Sequence, residues 1–250
     1  MKISPNGNYL ALAILGKYII EVFRFDNQTG TVELIESIAL PNKGMDGPYG
    51  VEFSPNSKML YVSEAMTLAN PRGSIYQWQL ENRPIASTRF EIPSARNKTA
   101  ALQLAIDGAI YVAISERRFL GRIRYPNRLG AASEFDTLAV DVNPNEVFGG
   151  LPGFVQSWLK PPAPEVVMPN VFTPNEDDKN SVFVPLVFKH LEMAEMRIYN
   201  RWGQLIFITN HPTKGWNGGD HPTGTYFWQI TGEGADGMDL NQKGWLQLVR

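Results

Sequence analysis

The residues best suited to chemistry are sparse and unevenly spread along this chain of 250 residues. General acid–base work favours histidine, or a carboxylate with a shifted pKa. All three histidines, His190, His211 and His221, fall in the C-terminal third, and there is no cysteine. A disulfide framework, a thiolate zinc site and a cysteine nucleophile are thereby excluded. The N-terminal carboxylates Glu64, Asp107 and Glu116 are scattered and recur in no pattern. No Gly-rich phosphate loop, Gly-x-Ser-x-Gly elbow or His-Glu-x-x-His pair is present.

Three clusters carry a chemical reading beside a structural one. The segment Asn175-Glu176-Asp177-Asp178-Lys179-Asn180 offers oxygen ligands at alternate positions, as a calcium loop does. Lys179 stands where a ligand is wanted and the glycine of a sharp loop is missing, so a structural turn is favoured over a metal site. Trp202, Trp216, Trp228 and Trp245 offer aromatic faces for sugars. Tryptophans on strands of a small sandwich more often build its core, and Trp202 and Trp216 are assigned there. Trp245 fits less well, because Leu246 and Leu248 alternate against it and claim the inner face. Arg117, Arg118, Arg122, Arg124 and Arg128, with Phe119 and Tyr125, combine charge with stacking. Alternating arginines on a hairpin are read as its solvated face. No metal, cofactor or nucleic acid is expected.

The elements that hold these residues repeat. Ile3-Ser4-Pro5-Asn6-Gly7-Asn8-Tyr9-Leu10-Ala11-Leu12 is echoed by Phe53-Ser54-Pro55-Asn56-Ser57-Lys58-Met59-Leu60-Tyr61-Val62. Leu104-Ala105-Ile106-Asp107-Gly108-Ala109-Ile110-Tyr111-Val112 is a third copy, one residue shorter. Each copy is a turn followed by a short strand that is apolar on both faces, as a strand buried between sheets would be. Asp107 takes the place of Asn6 and Asn56, which gives it a turn role. A second element, Ile20–Asp26, matches Ile75–Glu81 and, more weakly, Leu120–Tyr125. A further β-rich piece follows at Thr31–Leu40 and at Ile85–Ile92. Four strands in about 50 residues is the signature of a propeller blade.

Residues 1–159 therefore resemble part of a β-propeller of the WD40-like or YVTN-like kind, with roughly three units and a remnant. Propellers close with about 4–8 blades. The expectation is an open fragment, the C-terminal portion of a longer protein; a small complete domain is the other reading. Gly149-Gly150-Leu151-Pro152-Gly153-Phe154 is similar to the Gly-Leu-Pro-Asn-Phe tail of such propellers in secreted proteins, with Gly153 replacing asparagine. Lys160-Pro161-Pro162-Ala163-Pro164 is a stiff linker.

Net charge is −2, and positive and negative residues nearly balance in each part, so no strong electrostatic partner is implied. No apolar run approaches the ~20 residues of a membrane span. Tyr9–Ile20 is apolar, yet it lacks a basic n-region and a cleavage site, and it is repeated internally.

From Val166 onward, short alternating segments (Val182–Phe188, Glu195–Trp202, Leu205–Thr209, Thr225–Thr231, Gly244–Val249) are separated by turns, including Asn217-Gly218-Gly219-Asp220 and Asp236-Gly237. This spacing argues for an all-β sandwich. Five ordered motifs run through the same region. They carry Asn170, Phe172, Thr173, Pro174, Asn175, Asp177 and Asn180; then Asn200, Arg201, Trp202 and Gly203; then Trp216 and Gly218; then Gly224 and Tyr226; then Gly244 and the terminal Arg250. In this order they resemble the gliding-motility-associated C-terminal domain, the type B sorting domain of type IX secretion cargo in Bacteroidetes. The resemblance implies an immunoglobulin-like fold for residues 167–250 and the type IX secretion machinery as partner. Glu176 and Asp178 depart from the Asn-Gly-Asp-Gly usual in that loop.

The fold class expected is all-β: an open propeller of about three to four blades (1–159), a Pro-rich linker (160–166) and an immunoglobulin-like sandwich (167–250). The function expected is that of an exported or cell-surface, non-enzymatic binding protein whose ligand, protein or glycan, is open. The alternative is the C-terminal fragment of a lactonase-like secreted hydrolase with its catalytic residues on upstream blades.

Overall fold

The computed structural model describes residues 1–40, 47–64, 73–93, 97–153, 163–175, 180–234 and 238–250, with the side chain of Glu192 excepted. The Gly-Leu-Pro tail beyond Gly153, linker residues 160–162, loop residues 176–179 with Asp177, and the Asp236-Gly237 turn lie outside the described residues. The chain divides into two compact units, Met1–Pro161 and Pro162–Arg250.

The first unit is built from three four-stranded antiparallel sheets, each a meander in sequence order. The first holds β1 (Lys2–Ile3), β2 (Tyr9–Ile14), β3 (Ile19–Phe25) and β4 (Val32–Ala39). The second holds β5 (Pro48–Phe53), β6 (Met59–Glu64), β7 (Ile75–Gln79) and β8 (Phe90–Ile92). The third holds β9 (Thr99–Leu104), β10 (Ile110–Ile114), β11 (Phe119–Ile123) and β12 (Phe135–Asp141). Three such blades form an open propeller segment, as the 50-residue repeat implies.

The sequence repeat is also a hydrogen-bond repeat. Ser4 Oγ donates to Asn6 Oδ1 at 2.7 Å and accepts from Tyr9 N at 2.9 Å. Ser54 Oγ does the same with Asn56 Oδ1 (2.7 Å) and Met59 N (2.9 Å). In the third copy Asp107 Oδ1 accepts from Ala109 N at 3.1 Å. These side chains satisfy the backbone of a reversal that no sheet ladder reaches. The turns also link blades: Asn6 N donates to Ser57 Oγ, and Asn56 N to Asn127 Oδ1, both at 3.1 Å.

The middle sheet is buried on both faces. Leu60, Val62 and Trp78 pack with Ala11, Ile20 and Val22 of the first sheet. Tyr61, Ile75 and Ile92 pack with Leu102, Ile110 and Val112 of the third. Strand alternation sends neighbours to opposite faces, so a strand between two sheets must be apolar throughout. One expected strand is different. Residues Ile85–Thr88 form a 3-10 turn, and β8 begins at Phe90. The Glu36 carboxylate of the first blade accepts from Ile85 N (2.7 Å) and Ala86 N (2.9 Å), so that side chain, not a strand, satisfies those amides.

The second unit is a two-layer β-sandwich. A five-stranded sheet runs in the order β14 (Val171–Phe172), β19 (Asp239–Leu248), β18 (Gly224–Gly234), β16 (Leu191–Tyr199) and β17 (Leu205–Thr209). β14 is parallel to β19 and the other pairs are antiparallel. A smaller sheet pairs β13 (Glu165–Val167) with β15 (Val187–Lys189). Val166 and Phe188 bring it onto a core of Phe172, Phe183, Ile198, Trp216, Trp228 and Leu246. The expected strand Val182–Phe188 is mostly irregular. Phe183 makes an isolated bridge to Trp216, and pairing begins at Val187.

Trp202 corrects the sequence reading. β16 stops at Tyr199, and Trp202 stands 76% exposed in the turn that follows. Asn200 Oδ1 accepts from both Trp202 N (3.1 Å) and Gln204 N (3.0 Å), and Gly203 takes φ +78°. The chain reverses at these residues, so strand alternation cannot carry the ring inward.

Candidate functional site

Several of the described motif residues of the second unit gather at one end of the five-stranded sheet. Tyr199 pairs with Phe227 and Gly224 pairs with Leu248, which places the 200–204 turn, the start of β18 and the end of β19 together. At this end Phe172 lies 5.5 Å from the Trp216 ring centroid, and Tyr226 lies 5.3 Å from it, edge-on. Trp216 is locked from both sides of its backbone: its N–H donates to Phe183 O at 3.0 Å, and its carbonyl accepts from Phe183 N at 2.8 Å. Of the two tryptophans assigned to the core, Trp216 is there, at 3% exposure.

Two glycines are required by contact. Gly218 has φ +83°, and a Cβ there would stand 2.7 Å from Leu248 Cδ1. Gly244 pairs with Trp228 across β18 and β19, and a Cβ there would stand 2.7 Å from the indole. The ring thus occupies the space left by the missing side chain. Arg250 donates from its guanidinium to Gly219 O and from its backbone N to Thr223 Oγ1 at 3.1 Å. Asn170 O accepts from Gln247 N at 2.8 Å, and Thr173 N donates to Asn180 O at 2.9 Å. Pro174 and Asn175 follow, Asn175 N reaching Thr173 O at 2.8 Å. Burial pushes the Tyr226 phenol above its ordinary value, with Arg201 and Arg250 pulling the other way. The Arg201 guanidinium sits 4.4 Å from the Trp202 ring. Among the described residues no group of three or more His, Asp or Glu is placed to hold a metal.

These residues tie the ends of separate strands together. The same region matches the CHU_C Type IX secretion signal domain over residues 166–248. Residues 166–248 are a type IX secretion signal domain. A signal domain of this kind implies export and interaction with the type IX secretion machinery. No curated protein matches the chain.

Solved structures similar to this chain include a 6-phosphogluconolactonase candidate from Bacteroides uniformis, at 17% identity and a TM-score of 0.39, covering 56% of this chain and 40% of that one. The virginiamycin B lyase of Staphylococcus aureus is 13% identical with a TM-score of 0.38, over 96% and 68% of the two chains. The extracellular domain of a two component system from B. thetaiotaomicron is 12% identical with a TM-score of 0.36, over 98% and 36%. The chain spans about two fifths of the lactonase candidate's length, 40%.

In the first unit the singled-out charged residues are engaged in the fold. Glu64 is buried, with Tyr76 Oη donating to its Oε2 at 3.3 Å. Glu116 pairs with Lys98, and Asp107 also accepts from Tyr111 Oη at 2.9 Å. The arginines pair across β11 and β12 or stack nearby: Arg118 with Asp141 (2.9 Å), Arg122 with Asp136 (3.8 Å), Arg124 with Glu134 (3.7 Å), and Arg128 over the Tyr125 ring.

Sequence reasoning missed one cluster. Lys2, Glu52 and Gln103 precede the three copies of the turn repeat and lie on β1, β5 and β9. Lys2 Nζ sits 3.1 Å from Glu52 Oε2 and donates to Gln103 Oε1 at 2.7 Å. Glu52 is fully buried, accepting from Phe53 N (2.8 Å) and from Leu104 N of the next blade (2.9 Å). The signal was a polar residue at one fixed place in each apolar repeat.

Proposed function

We propose that this chain is an exported, non-enzymatic binding protein: propeller-type blades over 1–159 as the passenger, a Pro-rich linker over 160–166, and residues 167–250 as the label read during export. The observation that carries the reading is the type IX signal domain at 166–248. The sorting motif from Asn170 to Arg250 acts through the folded end of the sheet. The engaged state of these carboxylates supports a binding role for the blades: Glu52 joins two blades, Asp107 closes a turn, Glu116 pairs with Lys98, and Glu64 accepts from Tyr76 Oη within its own blade. The destination is the cell surface or the medium, and the blades' ligand there is a protein or a glycan.

The enzymatic side of this reading is tested with the whole chain on a panel of lactones, esters and glycosides. No turnover above background is expected. Turnover that disappears in Glu64→Gln or Glu116→Gln would overturn the binding assignment.

A further inference from the structure

The junction between the second and third blades is built from two halves. On the second blade, Tyr61 and Gln77 stand opposite each other on β6 and β7. They grip the loop after β11: Tyr61 Oη donates to Pro126 O (2.9 Å), Gln77 Nε2 donates to Arg128 O (2.7 Å), and Gly130 N donates to Gln77 Oε1 (2.8 Å). Beside them the register pair Ile75 and Ile92 is buried against the third blade. From the third blade the register pair Ile123 and Phe135 packs into the same core.

Each half occurs once more, at one end of the segment. In the third blade Tyr111 pairs with Arg122 as Tyr61 does with Gln77, and Leu120 pairs with Val140 as Ile75 does with Ile92. Val140 is 37% exposed, where Ile92 is buried. Val147, beyond β12, covers Ala113 of this blade and leaves Val140 open. In the first blade, counting out from the register pairs Leu10–Phe23 and Ile110–Ile123, Asp26-Asn27-Gln28-Thr29-Gly30 is the counterpart of Pro126-Asn127-Arg128-Leu129-Gly130. The glycines share a positive φ, +75° and +64°. Pro126, Asn127 and Gly130 are buried, whereas Asp26, Asn27 and Gly30 are exposed. Phe23 pairs with Leu34 as Ile123 does with Phe135, and Leu34 is 53% exposed. One end of the segment thus carries the gripping half of a blade junction and the other end the gripped half.

We propose that two copies of this chain join head to tail through these halves, the Asp26–Gly30 loop of each copy seated on Tyr111 and Arg122 of the other. The junction already present between the second and third blades shows what covers such a surface: another blade of the same sequence repeat. The contact is heterologous, and a second identical contact closes it into a ring of twice three blades, within the ~4–8 of closed propellers. The residues that differ from the internal junction differ in matched ways. Arg122 replaces Gln77, which removes an acceptor and leaves donors only. On the loop side, Gly30 N is already satisfied by Asp26 O at 2.8 Å, so it needs no acceptor from the facing blade. Asp26 replaces Pro126 and brings a carboxylate to the guanidinium. Arg122 has donors to give it, because its ion pair with Asp136 is long, 3.8 Å.

The test is the mass of the whole purified chain in solution, by size exclusion with light scattering, from micromolar to the highest soluble concentration. The expected result is twice the mass of one chain. Leu34→Lys and Val140→Lys change exposed positions at opposite ends of the segment. Each is expected to weaken the dimer about tenfold or more and release monomer, with circular dichroism unchanged. A head-to-tail contact needs both ends, whereas an isologous contact needs only one. A wild-type chain that stays monomeric at every concentration overturns the proposal. So does a mass that grows beyond two copies, which is an open filament rather than a ring. A dimer that survives both variants, or is lost in only one of them, overturns it as well. If a variant fails to fold, amide exchange of the wild-type protein decides. Exchange at Asn27–Gly30 and along β12 is expected to slow as concentration rises, and unchanged exchange there overturns the assignment.

Discussion

Trp216→Ala is expected to cost the second unit about 3–5 kcal/mol, as large-to-small changes at buried aromatics do. The ring is enclosed by Phe172, Phe207, His221 and Tyr226, with centroids between 5.3 and 6.4 Å away. Its backbone also forms the bridge that holds the irregular 181–186 segment against the core. Truncation leaves a cavity among aromatic neighbours that cannot collapse without moving the turn at Gly218. A two-unit chain does not melt as one transition, so the measurement is amide hydrogen exchange resolved by residue, with denaturant. Protection across β16, β18 and β19 is expected to fall, while that of β5–β7 holds. Trp202→Ala is the control: its ring is on a solvent-facing turn, and protection is expected to stay at the wild-type level. A Trp216 variant with unchanged protection, or a Trp202 variant that unfolds the sandwich, would contradict this assignment of the two rings.

Glu52→Ala is expected to loosen the junction between all three blades by about 3–5 kcal/mol. The carboxylate ends three interactions at once: the Lys2 ammonium, Phe53 N and Leu104 N. Removing it strands two buried amides and leaves Lys2 with a neutral amide for company. Glu52→Gln retains an acceptor and the volume, so its cost is smaller, about 1–2 kcal/mol. Faster exchange at Leu104 and Phe53 in the alanine variant, intermediate in the glutamine variant, is the expected order. Equal exchange in all three proteins would mean that the cluster does not hold the blades.

Much of this architecture was legible because it repeats. The Ser-Pro-Asn turns announced themselves at Ser4 and Ser54, and the same side chains close the same hydrogen bonds in the folded protein. Trp245 was legible from alternation, since Leu246 and Leu248 occupy the inner face and leave it outside. Trp202 was not, because alternation applies within a strand and β16 ends three residues earlier. Local turn chemistry at Asn200 and Gly203 decided its place. The Ile85–Thr88 turn was hidden for a different reason: the Glu36 carboxylate that satisfies it comes from another blade, about 50 residues upstream. Lys2, Glu52 and Gln103 read individually as ordinary polar residues. Their partnership is a property of three strands brought side by side. The side-by-side placement of Tyr199, Phe227 and Trp245 on β16, β18 and β19 likewise needs strand register, which the one-dimensional pattern does not contain.

The C-terminal unit carries the type IX secretion signal domain. The direct measurement is the partition of the chain between periplasm and exterior, with a periplasmic signal peptide in front, in a type IX-competent strain and in a strain lacking that machinery. A second arm removes residues 166–250. The intact chain is expected to leave the periplasm in the competent strain alone, and the shortened chain to be retained in both. Equal retention of the intact chain in the two strains, or export of the shortened chain, would contradict it.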